Sequence, residues 1–121
     1  MAIINIREKD VEIDDDCINL VQFFNSIGLD TKFCCSGHGK GNFEIMFEDY
    51  ITDKQIEDFL LKNTAEFKSK DFIYVHSYFS GRFEKWCRVM TGNIKYNWIY
   101  STTDIESAKR DYLRMKNNIK L

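Results

Sequence analysis

The densest chemistry in this chain lies in Cys34-Cys35-Ser36-Gly37-His38-Gly39-Lys40-Gly41. Glycine tolerates backbone angles that turn successive N–H groups toward one point, so this run can form a nest for an anion. Ser36 adds a hydroxyl, Lys40 a positive charge and His38 a donor that titrates near neutral pH. His38 and Lys40 are therefore candidate phosphate contacts. Nucleotide fingerprints place a helix directly after such a loop. Here Phe43–Phe47 reads as a strand, so the segment is neither a Walker loop nor a dinucleotide fingerprint. A glycine-rich hairpin connection with an exposed lysine is the plainer alternative.

The same residues admit two other chemistries. Cys34 or Cys35 with His38, joined by Cys17, Cys87 or His76, has the ligand types of a zinc site. Yet adjacent cysteines on a strand point to opposite faces, and two cysteines separated by two to four residues are missing. Neither a metal nor a cofactor is expected. A Cys35 nucleophile with His38 as base would make a nucleotide hydrolase. No Asp or Asn stands out to orient His38, and with 2 histidines in the chain general bases are scarce. The expectation is a protein without enzymatic activity.

A second cluster mixes rings with cations. Tyr78, Phe83, Trp86, Tyr96, Trp98 and Tyr100 fall on adjoining strands, interspersed with Arg82, Lys85, Arg88 and Lys95. Rings beside arginines form a platform on which a base can stack while phosphates meet the charges, which makes Trp86 and Arg88 candidate ligand contacts. Cross-strand packing and a subunit interface are the alternative. Near the C-terminus Lys109, Arg110, Arg114 and Lys116 make a basic helix face. Such a face is ordinarily solvated, but Arg110 or Arg114 could clamp a phosphate across a dimer interface.

These groups need a scaffold. Ala2–Ile6 reads as an apolar strand. Asp14, Asp15 and Asp16 precede Cys17, Leu20, Val21, Phe24 and Ile27 at helical spacing, with Gly28 as the C-terminal cap. Thr31–Cys35 and Phe43–Phe47 are strands on either side of the glycine loop. Thr52 and Gln55 form a capping box before a short second helix, and Thr103 with Glu106 another before the last one. Between them a period of two runs through residues 72–79, 83–90 and 94–100, with turns at Ser80-Gly81 and Gly92-Asn93, giving a three-stranded meander. The stripe Ile105, Ala108, Tyr112, Met115 and Ile119 lets the last helix pack on the sheet or on its twin in a homodimer or larger homo-oligomer. The predicted fold class is α+β: residues 1–121 as a single domain, a mostly antiparallel sheet packed against two to three helices.

Bulk properties narrow the partners. At 121 residues with 44% hydrophobic and 30% charged residues, the chain is an ordinary globular domain. A net charge of −2 argues against sequence-independent binding to duplex nucleic acid. No apolar run reaches the roughly 18 residues of a membrane span, and no signal-peptide pattern opens the chain. A cytoplasmic location in a bacterial host is expected, and in that reducing setting the four cysteines should be thiols or metal ligands rather than disulfides.

Residues 18–47, with Ile27-Gly28-Leu29-Asp30-Thr31 leading into Cys34-Cys35-Ser36-Gly37-His38-Gly39 and then Phe43-Glu44-Ile45, resemble a group of small phage and prophage proteins. Weaker similarity continues through residues 86–89 into the last helix. Size and layout are similar to the Thoeris anti-defence sponge family. That resemblance implies a phage protein that binds a cyclic ADP-ribose isomer, or a related cyclic nucleotide, and withholds it from its effector without cleaving it. It also implies dimers or larger assemblies, with the ligand held by aromatic and arginine side chains from a strand and the C-terminal helix. Carried over by position, it puts Phe83, Asn93 and Arg110 nearest the ligand. A phage inhibitor that docks on a host protein through exposed aromatics is the competing expectation.

Overall fold

The computed structural model describes residues 2–36, 42–63, 72–74, 86–91 and 95–118. Two strands, β1 (Ala2–Ile6) and β2 (Lys9–Ile13), form an antiparallel hairpin. Its two-residue turn is Arg7-Glu8, with φ of 49° and 68°. Positive φ at both turn positions matches the right-handed strand twist, and Asn-Gly is the usual way to supply it. A 3-10 turn, Asp15–Cys17, leads into α1 (Ile18–Ser26). Gly28, at φ +87°, ends the helix: its N–H donates to Asn25 O (3.3 Å) and that of Leu29 to Phe24 O (2.9 Å). Those two bonds satisfy carbonyls the helix end would otherwise leave open.

The remaining elements are β3 (Thr31–Cys35), β4 (Phe43–Phe47), α2 (Asp53–Asn63), β5 (Phe72–Tyr74), β6 (Trp86–Thr91), β7 (Lys95–Thr102) and α3 (Ile105–Asn118). The five later strands make one sheet in the order β3-β4-β7-β6-β5. Register aligns Cys34, Ile45, Tyr100, Trp86 and Phe72 in a row across all five. Phe24 of α1 lies against this row, 5.6 Å from Trp86, 5.9 Å from Tyr100 and 5.1 Å from Phe47, ring centre to ring centre. Ile56 and Phe59 of α2 and Ala108 and Met115 of α3 complete the same apolar layer. The fold class is the expected α+β, with helices on the sheet.

Several details differ from expectation. β2 is an additional strand, hidden in the sequence because Arg7-Glu8 carries no glycine or asparagine turn signal. The last three strands stand side by side as foreseen, but β5 runs parallel to β6, and only β6–β7 is antiparallel. The cap of α3 is Asp104, whose Oδ1 accepts the Ser107 N–H at 2.7 Å, and not Thr103. That bond holds the Asp104 carboxyl below its ordinary pKa. The Thr52–Gln55 capping box is present as read, with Gln55 N–H donating to Thr52 Oγ1 (3.2 Å) and Thr52 N–H to Gln55 Oε1 (2.9 Å). Among the described residues no helix is long and apolar enough to cross a membrane.

Candidate functional site

The described side chains of the aromatic platform are turned inward; Tyr78 lies outside the described residues. Trp86, Trp98 and Tyr100 are all buried, because register puts them on the helix-covered face of the sheet. Trp86 lies against Phe47 with nearly parallel rings 5.7 Å apart and against Phe59 at 5.9 Å. It is thus a core residue, and the expectation that it faces a ligand is corrected. Arg88 donates to Asp53 Oδ2 at 2.7 Å, and Trp98 Nε1 donates to Asp53 Oδ1 at 2.8 Å. These bonds fasten the start of α2 to the sheet. Arg114 binds Asp111 Oδ1 at 3.0 Å, and Arg110 is exposed on α3 with its guanidinium on Ser107 Oγ at 3.0 Å. Phe83, Asn93, His38 and Lys40 lie outside the described residues, as does Ile119. The rest of the α3 stripe packs on the protein's own core.

A different set of side chains converges. A cleft of about 570 Å³ opens between β2 and β3, two strands that are not paired with each other. That volume suits a small-molecule ligand. Arg7, Lys9, Val11, Lys32 and Phe33 contribute to its walls, with Val21 of α1 behind them. Phe33 is 55% exposed, and the sheet register explains why. Thr31 pairs with core-facing Phe47, but Phe33 pairs with Met46, so one extra residue is inserted between them. A bulge of this kind turns a side chain to the other face of the sheet. Without it, alternation would carry Phe33 into the core.

Both ends of the cleft are fastened. At the hairpin tip the Arg7 guanidinium donates to Asn25 Oδ1 and, at 3.1 Å, to Thr31 O. It also lies 3.4 Å from Glu48 Oε1 and 4.0 Å from Asp30. Asn25 in turn holds Val21 O (2.7 Å) and Thr31 Oγ1 (2.8 Å), so one arginine ties the hairpin to the end of α1 and the start of β3. Tyr50 donates to Asp30 at 2.6 Å, a bond that raises the phenol pKa. At the other end Ser36 Oγ donates to Asp14 Oδ2 at 3.0 Å, and Cys17 is disulfide-bonded to Cys34. The disulfide overturns the expectation of four thiols or metal ligands. A spacing of 17 residues carries no sign of proximity; the strand and the turn before α1 bring the two sulfurs together. Sulfurs bonded to each other are not thiolate ligands, so Cys17 and Cys34 cannot serve the zinc reading in this state. No group of three or more potential metal ligands forms among the described residues.

Charge in the cleft is balanced but unevenly committed. Lys32 pairs with Asp49 at 3.0 Å, and Arg7 faces the carboxylates already named. Lys9 makes no ion pair among the described residues and is open to an incoming anion. The sequence signal for this site was present but faint. Ile4 and Ile6 alternate before Arg7-Glu8, and Val11 and Ile13 after it, which is the pattern of a hairpin without its usual turn residues. A second hollow of about 310 Å³ between α1 and α3 is lined by Phe23, Ile27, Tyr112 and Lys116, whose ammonium lies 5.7 Å from the Tyr112 ring centre. Neither hollow is lined by Trp86, Arg88, Arg110 or Arg114.

The chain matches no curated protein and no solved structure. A family model described as YoqC prophage protein matches residues 4–119, which takes in most of the hairpin, the cleft lining and the three described α-helices. The protein is therefore a member of the YoqC prophage protein family.

Proposed function

We propose that this prophage protein is a non-enzymatic binder that captures a small cyclic nucleotide, a cyclic ADP-ribose isomer, in the cleft between β2 and β3, and so acts as an anti-defence sponge. The observation that carries the reading is the bulge-exposed Phe33 ring in a nucleotide-sized cleft that also holds Lys9 and Lys32. A base stacks on a ring of this kind regardless of its sequence identity, and phosphates seek the ammonium groups. Cys34 and Cys35 also line the cleft. The resemblance to the sponge family supplies the ligand class. Arg110, the contact that resemblance suggests on α3, does not line this cleft.

Calorimetry against cyclic ADP-ribose isomers tests the proposal. Stoichiometric binding and release of intact ligand on heating are expected. Phe33→Ala should weaken binding about 10-fold, the loss of one base–ring stack, with the melting temperature unchanged because the ring is exposed. Absence of heat with every isomer, or equal affinity in Phe33→Ala, would sink it. Recovery of a cleaved product would favour the hydrolase instead.

A further inference from the structure

The disulfide occupies an asymmetric position. Cys17 is fully buried among the apolar side chains at the start of α1, whereas Cys34 is half-buried and lines the cleft. Cys34 is thus the half of the bond on the cleft side. Just past the end of β3 the chain is tied a second time, by Ser36 on Asp14, the residue before the same turn.

The geometry points to Cys34 as a thiol-exchange site through which a small thiol of the glutathione class opens and recloses the Cys17–Cys34 bond. A thiolate RS⁻ attacks Cys34 Sγ. The RS–Sγ34 bond forms, the Sγ34–Sγ17 bond breaks, and Cys17 leaves as a thiolate that takes up a proton. A second thiolate attacks the external sulfur, releasing RS–SR and the Cys34 thiolate, which is protonated in turn. Two electrons and two protons enter the protein, and two thiols are oxidised to one disulfide. Cys17 is fully buried, so the reagent has access from the Cys34 side and exchange is slower than at an exposed bond. After reduction the Ser36–Asp14 hydrogen bond still ties the chain just past β3 to the turn before α1. The bond thereby sets how firmly one wall of the cleft is held, whatever the cleft binds. In a reducing compartment a disulfide of this kind serves as a redox-responsive element rather than a permanent staple.

The test needs neither a variant nor the cleft's ligand. Folded protein purified without reductant is pulsed with reduced glutathione, quenched with acid, and mapped by tandem mass spectrometry with fragment ions that separate Cys34 from Cys35. The expected result is a glutathione adduct on Cys34 in about tenfold or greater excess over Cys17. The Cys17–Cys34 linkage should be present before the pulse and both residues alkylatable after dithiothreitol. The inference is overturned if both residues are alkylated before any reductant is added. It also fails if the adduct sits on Cys17, or if the bond opens only in denaturant. Nucleotide binding in the calorimeter can fail while the Cys34 adduct forms, and the reverse, so the two proposals stand or fall separately.

Discussion

Tyr100 donates its hydroxyl to Asp111 Oδ2 at 2.6 Å inside the protein. Asp111 is 3% exposed, and Arg114, on the same helix, brings a guanidinium to its other oxygen. Burial, then the neighbouring carboxylate, push the Tyr100 phenol far above its ordinary pKa. The sign of the consequence is definite. With a folded pKa above the unfolded one, the tyrosine's contribution is intact below about pH 10 and is lost as the pH rises beyond it, where only the unfolded chain ionises. Urea unfolding at about pH 8 and about pH 11 should show wild type losing more stability than Tyr100→Phe across that interval. At the lower pH Tyr100→Phe should itself cost about 1–3 kcal/mol, since Asp111 loses a buried donor. An equal loss in both proteins would show that the phenol ionises freely in the folded state.

At the scale of elements, the hairpin is the least orthodox piece. A non-glycine residue in the left-handed region costs roughly 1–2 kcal/mol, and both Arg7 and Glu8 are held there. Arg7 has a compensating role in its bonds to Asn25 and Thr31, whereas no hydrogen bond or ion pair of the Glu8 side chain occurs among the described residues. Glu8→Gly should therefore stabilise the protein by about 0.5–1 kcal/mol, read as a raised urea midpoint at constant slope. A lower midpoint would mean that the turn is less strained than its angles imply. The same element shows what sequence reading reaches and what it does not. Ala2–Ile6, Thr31–Cys35 and Phe43–Phe47 were legible residue for residue, because apolar runs bounded by turn residues announce strands. Lys9–Ile13 was not, since its turn lacks the usual residues and its exposed side chains give no strong alternation. The outward turn of Phe33 was equally hidden, because strict alternation has no means of anticipating an inserted residue in β3.

For the molecule as a whole, stability is gathered around Trp86. It meets Phe24, Phe47, Phe59 and Tyr100 within 6 Å, ring centre to ring centre, and so joins α1, α2 and three strands. Trp86→Ala should cost about 3–5 kcal/mol in denaturant unfolding. A protein as stable as wild type would return Trp86 to the ligand-facing role first read from its neighbours Arg88 and Lys85. That reading went astray for a physical reason. Rings at every second position specify a face, but which face the helices cover is decided by residues distant in the chain. The candidate site was hard to see for the same reason: Arg7, Lys9, Lys32 and Phe33 belong to the hairpin and to β3, which α1, the Arg7 hydrogen bonds, the Ser36–Asp14 bond and the disulfide bring together.

The strand order carries a consequence for how the protein is made. β7 is the last strand, yet it is interior to the sheet, with β4 on one side and β6 on the other. While a ribosome is still working through residues 43–91, β4 and β6 have no common neighbour. Phe43, Ile45 and Phe47 therefore emerge before the strand that joins them to Trp86. Closure of the sheet waits for residues 95–102, and a messenger cut short before them would yield a chain in which β4 and β6 each keep one edge open to the crowded cell.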